Sequence, residues 1–387
     1  MDNHKQVALS RGLFIFTLIV AALYLPLALN YTWPLFGSGA PRWQDEVNTA
    51  INGPGYALGD GSVDAVRHTA YAQYRVVLLV HTTLGALALI LAMFQFSARI
   101  RESRPAVHRW TGRAYLTLMT ISMLTALIFL YLTPPAEHFI GPAFETQLRG
   151  LAVGTLASAW YAVYAIRKRD MVTHRAWMTY SIAFMLTAPL LRFIWIGIQP
   201  LIPQHDLLTN IGVGSLILGV IAPGGAAVAF MVAQQPRSDE VPTATPAWNY
   251  GAAAALAVVG SLAYTGLTSR LPEPIPHSLV AFHLVPVWIS VALAAAGVAR
   301  ARSRRDTTRE RQWRWLFWGF AAAPTSASLY SLIVPPDFTA ADAIIAGGMD
   351  GAAIPITVCF AVIVRAAARQ RTNDPDDIST AETAPAV

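Results

Sequence analysis

The sequence predicts an all-α, polytopic transmembrane helix bundle of about ten spans. Three observations carry that expectation. The 387 residues are 55% hydrophobic and only 13% charged, about half the charge of an ordinary soluble chain. The mean hydropathy is +0.44. The apolar residues come in long blocks, such as Val76 to Phe96 and Ile211 to Val232, each long enough to cross about 30 Å of hydrocarbon at about 1.5 Å per residue.

In chain order, Gly12 to Leu29 reads as a first span. It is long for a signal-peptide core, and the Tyr-Thr-Trp-Pro after it lacks a small-residue cleavage site, so it is expected to stay uncleaved. The segment Asn30 to Tyr74 has Gly/Pro punctuation and an amphipathic patch near Trp43 to Ile51, and is expected to cap one face. Five further spans are expected at 75–97, 114–132, 149–166, 176–196 and 210–233. The polar, Pro-rich stretch 234–249 reads as an internal linker. Four spans follow at 250–267, 279–299, 315–333 and 344–364, and then a polar, acidic tail without expected structure. The resulting organisation is a six-span part (1–233), a linker (234–249), a four-span part (250–367) and a tail (368–387).

Charge orients the bundle. With the spans numbered alternately inward and outward, 22 of the 28 basic residues fall on one side, among them five arginines from Arg99 to Arg113 and seven from Arg300 to Arg314. Arg42, Arg67, Arg75, Arg149 and Arg270 lie on or near the other. The positive-inside rule makes the rich side cytoplasmic, with both termini there and the chain in the inner (plasma) membrane. The net charge of +6 is therefore orientation charge, and no nucleic-acid partner is expected, because no folded, water-exposed basic face is in prospect. The single cysteine, Cys359, excludes an internal disulfide, a CxxCH haem attachment and a Cys-ligated iron–sulfur cluster.

The two sides of the linker share features. LLVHTTLGALALILAMFQFSARIR, with His81, Arg99 and Arg101, parallels VAFHLVPVWISVALAAAGVARAR, with His283, Arg300 and Arg302. HRWTGRAYL and RQWRWLFWG follow them, closing with Pro134-Pro135 and Pro335-Pro336. Spans one to four would then repeat as seven to ten in the same orientation, a known membrane architecture.

Ionisable groups within spans are the candidates for function. No carboxylate is expected deep in a span, and only Asp350 is expected to fall within one, which argues against a buried carboxylate relay. Histidine and arginine form two layers. His81, His283 and Arg192 share a depth toward the arginine-poor side, His81 being about 10 Å into its span. His108 with Arg109 and Arg113, and His174 with Arg175, open spans three and five on the arginine-rich side. His108, Gly112 and Tyr115 follow i, i+4, i+7 and share one helix face, where Gly112 leaves room for a flat group or a neighbouring helix. His174, Trp177, Met178 and Ser181 form a second stripe, and Arg109 and Arg113 pair at i, i+4, suited to a propionate, phosphate or headgroup. Two facing histidines would ligate a b-type haem. The competing reading is that these His, Arg and Trp residues only anchor helix ends at the interface, that His81 and His283 make interhelical hydrogen bonds, and that Arg192 snorkels or bonds a carbonyl. Pro189, Pro286, Pro324 and the Pro-Gly-Gly at 223–225 are candidate helix breaks that would line a cavity.

A histidine in one span, HRWTGR opening the next and HRAWM opening a later span that ends in arginine resemble a family of bacterial predicted membrane proteins catalogued as a domain of unknown function. The resemblance covers about Tyr74 to Val232 and maps onto His81, His108, Arg109, Gly112, Arg113, His174, Arg175, Trp177, Met178 and Arg192. It brings no established activity. A looser resemblance is to transmembrane di-haem b cytochromes, which pair histidines at two membrane levels. Span four, Leu151 to Ile166, has no histidine, so the second level is complete only if His283 or His138 substitutes.

The leading functional expectation is a redox protein holding at least one b-type haem through His108 and His174 and exchanging electrons with a quinone or a membrane partner. Two other classes stay open: a transporter or channel for a small organic or anionic solute, and a lipid- or isoprenoid-modifying enzyme using the His/Arg cluster as acid/base and phosphate clamp. A scaffold subunit would have no site at all.

Overall fold

Hydrocarbon offers no partners for backbone N–H and C=O groups, so a chain with this many apolar runs closes its backbone bonds inside helices. A computed structural model describes residues 3–37, 39–65, 71–138, 140–234, 246, 248–271, 277–334 and 338–372, and these residues form helices and turns without a strand. The helices are α1 (Asn3–Thr32), α2 (Trp43–Asn52), α3 (Pro54–Leu58), α4 (Arg75–Phe96), α5 (Ala98–Ser103), α6 (Pro105–Leu132), α7 (Pro142–Arg167), α8 (Met171–Met185), α9 (Thr187–Ile198) and α10 (Leu207–Ala233). They continue with α11 (Trp248–Thr268), α12 (His277–Ser303), α13 (Thr307–Ser331), α14 (Ala340–Ala346), a π-helical turn (Gly347–Gly351) and α15 (Ala353–Thr372).

Among the described residues, eight helical rods are long and apolar enough to cross a bilayer: α1, α4, α6, α8–α9, α10, α11, α12 and α14–α15. The remaining two expected spans correspond to α7 and α13, of 26 and 25 residues, which are as long but carry charges at their ends. The expected cap forms. α2 and α3 lie over the ends of α9 and α10, where Asn52 Nδ2 donates to the Ile196 carbonyl (3.0 Å) and Asn210 Nδ2 donates to Tyr56 Oη (2.8 Å). Most of the expected linker and tail (235–245, 247 and 373–387), with Arg237, lies outside the described residues, as do Arg67 and Pro335-Pro336. α15 runs on to Thr372, past the expected start of the tail.

The helix breaks differ from expectation. α10, α12 and α13 run unbroken through Pro223, Pro286 and Pro324. The rod at 171–198 does break, at Leu186, because Pro189 has no N–H for the Met185 carbonyl and its ring crowds it. The last rod is interrupted at the π turn, one step ahead of Pro355, which leaves the Gly351 carbonyl without its usual donor. Two close approaches seat that turn. A Cβ on Gly219 of α10 would stand 2.3 Å from the Met349 carbonyl oxygen, and one on Gly347 would stand 2.1 Å from Ser331 Oγ of α13.

α10 is the axis of the bundle. It is buried along most of its length, as a helix apolar all round must be, and packs on α8 and α9 to one side and α12 and α15 to the other. One core cluster accordingly takes in Val172 and Tyr180 of α8, Phe230 of α10, Leu316 of α13 and Phe360 of α15. α4 lies along α6, α7 along α8 and α12 along α13. The turns into α8 and α13 are built alike. Arg169 (φ 61°) and Arg305 (φ 55°) each take the left-handed conformation, and the next residue caps the helix. Asp170 accepts from Thr173 N (2.9 Å) and Asp306 from Arg309 N (2.9 Å). This local likeness sets His174 against Glu310, and Arg175 and Trp177 against Arg311 and Trp313, an alignment other than the one read from the sequence.

Candidate functional site

Two cavities hold His81, His108, His174 and Arg192 of the expected site residues. The first, of about 1510 Å³, lies toward the arginine-rich ends and is lined by His108, Arg109, Gly112 and Arg113 of α6 and by His174, Arg175 and Met178 of α8. α6 and α8 both start on this side, so they run parallel and their stripes lie in register. Tyr115 Oη and Ser181 Oγ are 3.3 Å apart. His108 and His174 each stand seven residues before that contact, about 10 Å along each helix. The two histidines therefore face the same cavity at one level.

His174 is oriented from behind, its Nδ1–H donating to the Ala162 carbonyl of α7 (3.0 Å), which leaves Nε2 as the cavity-facing nitrogen. His108 has a buried Nδ1 without a partner among the described residues. The space beside Gly112 is taken by a neighbouring helix and not by open room for a flat group. A Cβ there would stand 3.0 Å from Gln95 Oε1, and Gln95 Nε2 bonds the His108 carbonyl (3.2 Å) and Thr111 Oγ1 (2.6 Å). Trp177 leaves the expected stripe and joins a ring cluster with Tyr161, Tyr180 and Phe360. Arg113 lies over the Trp110 ring (5.2 Å), so Arg109 and Arg113 do not act as a bare pair. Arg309 and Gln312 of α13 complete the wall. Arg309 is held by the Met231 carbonyl, the Gln234 carbonyl (2.6 Å) and Gln312 Oε1 (3.1 Å). Nothing in the sequence singled Arg309 out from its six arginine neighbours.

The second cavity, of about 1020 Å³, lies toward the other side. His81 is on its wall, with Nδ1–H donating to the Ser122 carbonyl (2.9 Å). Arg192 is there too, its guanidinium over the rings of Tyr24 (5.4 Å) and Tyr31 (4.9 Å) and its Nη1 on the Ala188 carbonyl (3.0 Å). His283, expected in this layer, is elsewhere. It is fully buried beside the Tyr264 ring (4.5 Å), outside both cavities, and neither ring nitrogen meets a partner among the described residues. The third ionisable group of the layer is Asp350, placed on the cavity wall by the π turn.

His138 does not reach this cavity either. It is buried near Tyr71 and Phe129 in the loop after α6, and burial pushes its imidazole down to about 4. Among the described residues, then, no second histidine lines the cavity with His81, and no group of three or more His, Cys, Asp or Glu side chains is arranged to hold a metal ion. Leu218 and Ala222 of α10 line both cavities and stand between them.

A family model described as a predicted membrane protein (DUF2306) matches residues 78–222. That segment contains His81, His108, His174 and Arg192 and ends at the wall between the cavities. It excludes Arg309 and Asp350. No curated protein and no solved structure matches the chain.

Proposed function

We propose that this multi-span membrane protein holds one b-type haem in the arginine-side cavity, between His108 and His174, and exchanges electrons with a quinone or another membrane redox protein. The observation that carries the reading is the register of α6 and α8, which sets the two histidines at one level on one cavity. The Nδ1 contact of His174 with the Ala162 carbonyl supports it, since ligating histidines commonly donate their other N–H to such an acceptor. Arg109, Arg113 and Arg175 line the same cavity and suit carboxylate groups at its rim. Met178, Ile182 and Leu186 give it an apolar depth, which excludes water. A bound haem supplies reversible one-electron transfer. Among the described residues His81 has no second histidine on its cavity, which favours a single haem over two. Under the positive-inside rule the site faces the cytoplasm of a plasma (inner) membrane, and both termini lie on that side.

The test is an optical spectrum of protein purified after expression with ample haem. A Soret band that His108→Ala or His174→Ala abolishes is expected, and a colourless wild type sinks the reading. A bound polyprenyl phosphate in colourless protein would favour the lipid-modifying alternative at the same His/Arg rim.

One observation favours a second reading, a solute path. The two cavities approach from opposite sides with Leu218 and Ala222 between them. That reading predicts solute flux into proteoliposomes that Ala222→Trp blocks.

A further inference from the structure

The second cavity contains a carboxylate that neither proposal uses. Asp350 lies in the last membrane-spanning rod, brought to the wall by the π turn. Its Oδ2 is buried and meets no hydrogen-bond donor, and no cation pairs with it, among the described residues. The Arg192 guanidinium of the same cavity is turned to the Tyr24 and Tyr31 rings and the Ala188 carbonyl. An ionised carboxylate without a partner is costly at membrane depth and marks a functional position by default.

The surroundings indicate what the partner is. Gly150 of α7 faces Asp350, and a Cβ there would stand 3.5 Å from Oδ1. One turn further along α7, Gly154 leaves the space that the Phe184 ring enters, 2.6 Å from where a Cβ would be. The cavity wall beside the carboxylate is aromatic, with the Phe184 ring seated on Gly154 and Tyr180, Trp177 and Tyr330 in the same lining. A carboxylate beside ring faces, in a cavity whose wall is mostly apolar and whose one guanidinium is engaged by Tyr24, Tyr31 and the Ala188 carbonyl, complements a positive centre carried on an apolar body.

We propose that this cavity is a binding site for a hydrophobic organic cation, an amine or quaternary onium, with Asp350 as its counter-ion. The cation's charge would sit by Asp350, and its apolar body in the cavity against the Phe184 and Tyr180 rings. The site is separate from the histidine cavity and does not depend on what that cavity holds.

The experiment is equilibrium dialysis of the full chain in detergent against radiolabelled tetraphenylphosphonium. Triphenylphosphine oxide serves as the uncharged comparison. Saturable binding of the phosphonium is expected, weakened at least about tenfold by Asp350→Asn and retained by Asp350→Glu. Gly150→Val, which fills the space before the carboxylate, should weaken it as well and leaves Asp350 in place should Asp350→Asn fail to fold. The uncharged probe should not distinguish wild type from Asp350→Asn. Equal phosphonium affinity in the wild type, Asp350→Asn and Gly150→Val, or no saturable binding to the wild type, overturns the proposal. The haem spectrum reads the other cavity, so either proposal can fail without the other.

Discussion

Tyr115 of α6 and Ser181 of α8 share a hydrogen bond of 3.3 Å, fully buried, and each stands seven residues beyond a histidine. The bond locks two parallel helices in one register, and that register is what brings His108 and His174 to a common level. Tyr115→Phe and Ser181→Ala should each lower stability by about 0.5–1.5 kcal/mol, and the double variant should lose less than the sum. Thermal unfolding of the four proteins in detergent measures the coupling. Additive losses would mean the bond does not hold the register.

Gly219 is the point where α10 meets the π turn. A Cβ there would stand 2.3 Å from the Met349 carbonyl oxygen, and since that atom is backbone, the whole turn must move. Gly219→Ala is expected to cost about 1–3 kcal/mol, against little for Gly225→Ala in the same helix, where a Cβ meets nothing within 4 Å. Melting temperatures of the two variants decide it.

His138 gives stability a defined pH dependence. Burial among apolar groups brings its imidazole down to about 4, below an ordinary value near 6.5. Between those values the unfolded chain binds the proton and the folded chain does not. The contribution is therefore present above about pH 6.5 and is lost as pH falls toward about 4. His138→Phe, which keeps an aromatic ring near Tyr71 and Phe129, should flatten the melting temperature across that window. An unchanged profile would assign the dependence to other groups.

His283 is fully buried, and its ring nitrogens are unpartnered among the described residues. Removing polar atoms that make no bond should help, so His283→Phe is expected to leave stability unchanged or raise it by about 1 kcal/mol. Neither phosphonium binding nor any optical band should change, since the residue lines neither cavity. A loss of ligand would place it in a site after all.

Much of the site is legible in the sequence because helix faces are local. The spacing of His108, Gly112 and Tyr115, and of His174, Met178 and Ser181, determines which side chains share a stripe. Which stripe meets which is another matter. Trp177 shares the spacing of that stripe yet lines the other cavity, packed on Phe360 of α15. His81 and His283 look equivalent along the chain, yet one lines a cavity and the other is sealed against Tyr264. Four prolines stood out as candidate breaks, but only Pro189 ends a helix. Pro355 is not among those four, although the interruption just before it carries Asp350 to a cavity wall.

The sequence by itself determined that the chain is helical, where its apolar rods run and which ends carry the arginines, because burying a rod in hydrocarbon depends on the length and composition of that segment alone. Only the tertiary structure decided which ionisable groups share a cavity. That depends on how each rod is rotated and how closely its neighbours approach, and these are set by contacts between distant segments: Gln95 in the space beside Gly112, Met349 against Gly219, and Tyr115 on Ser181.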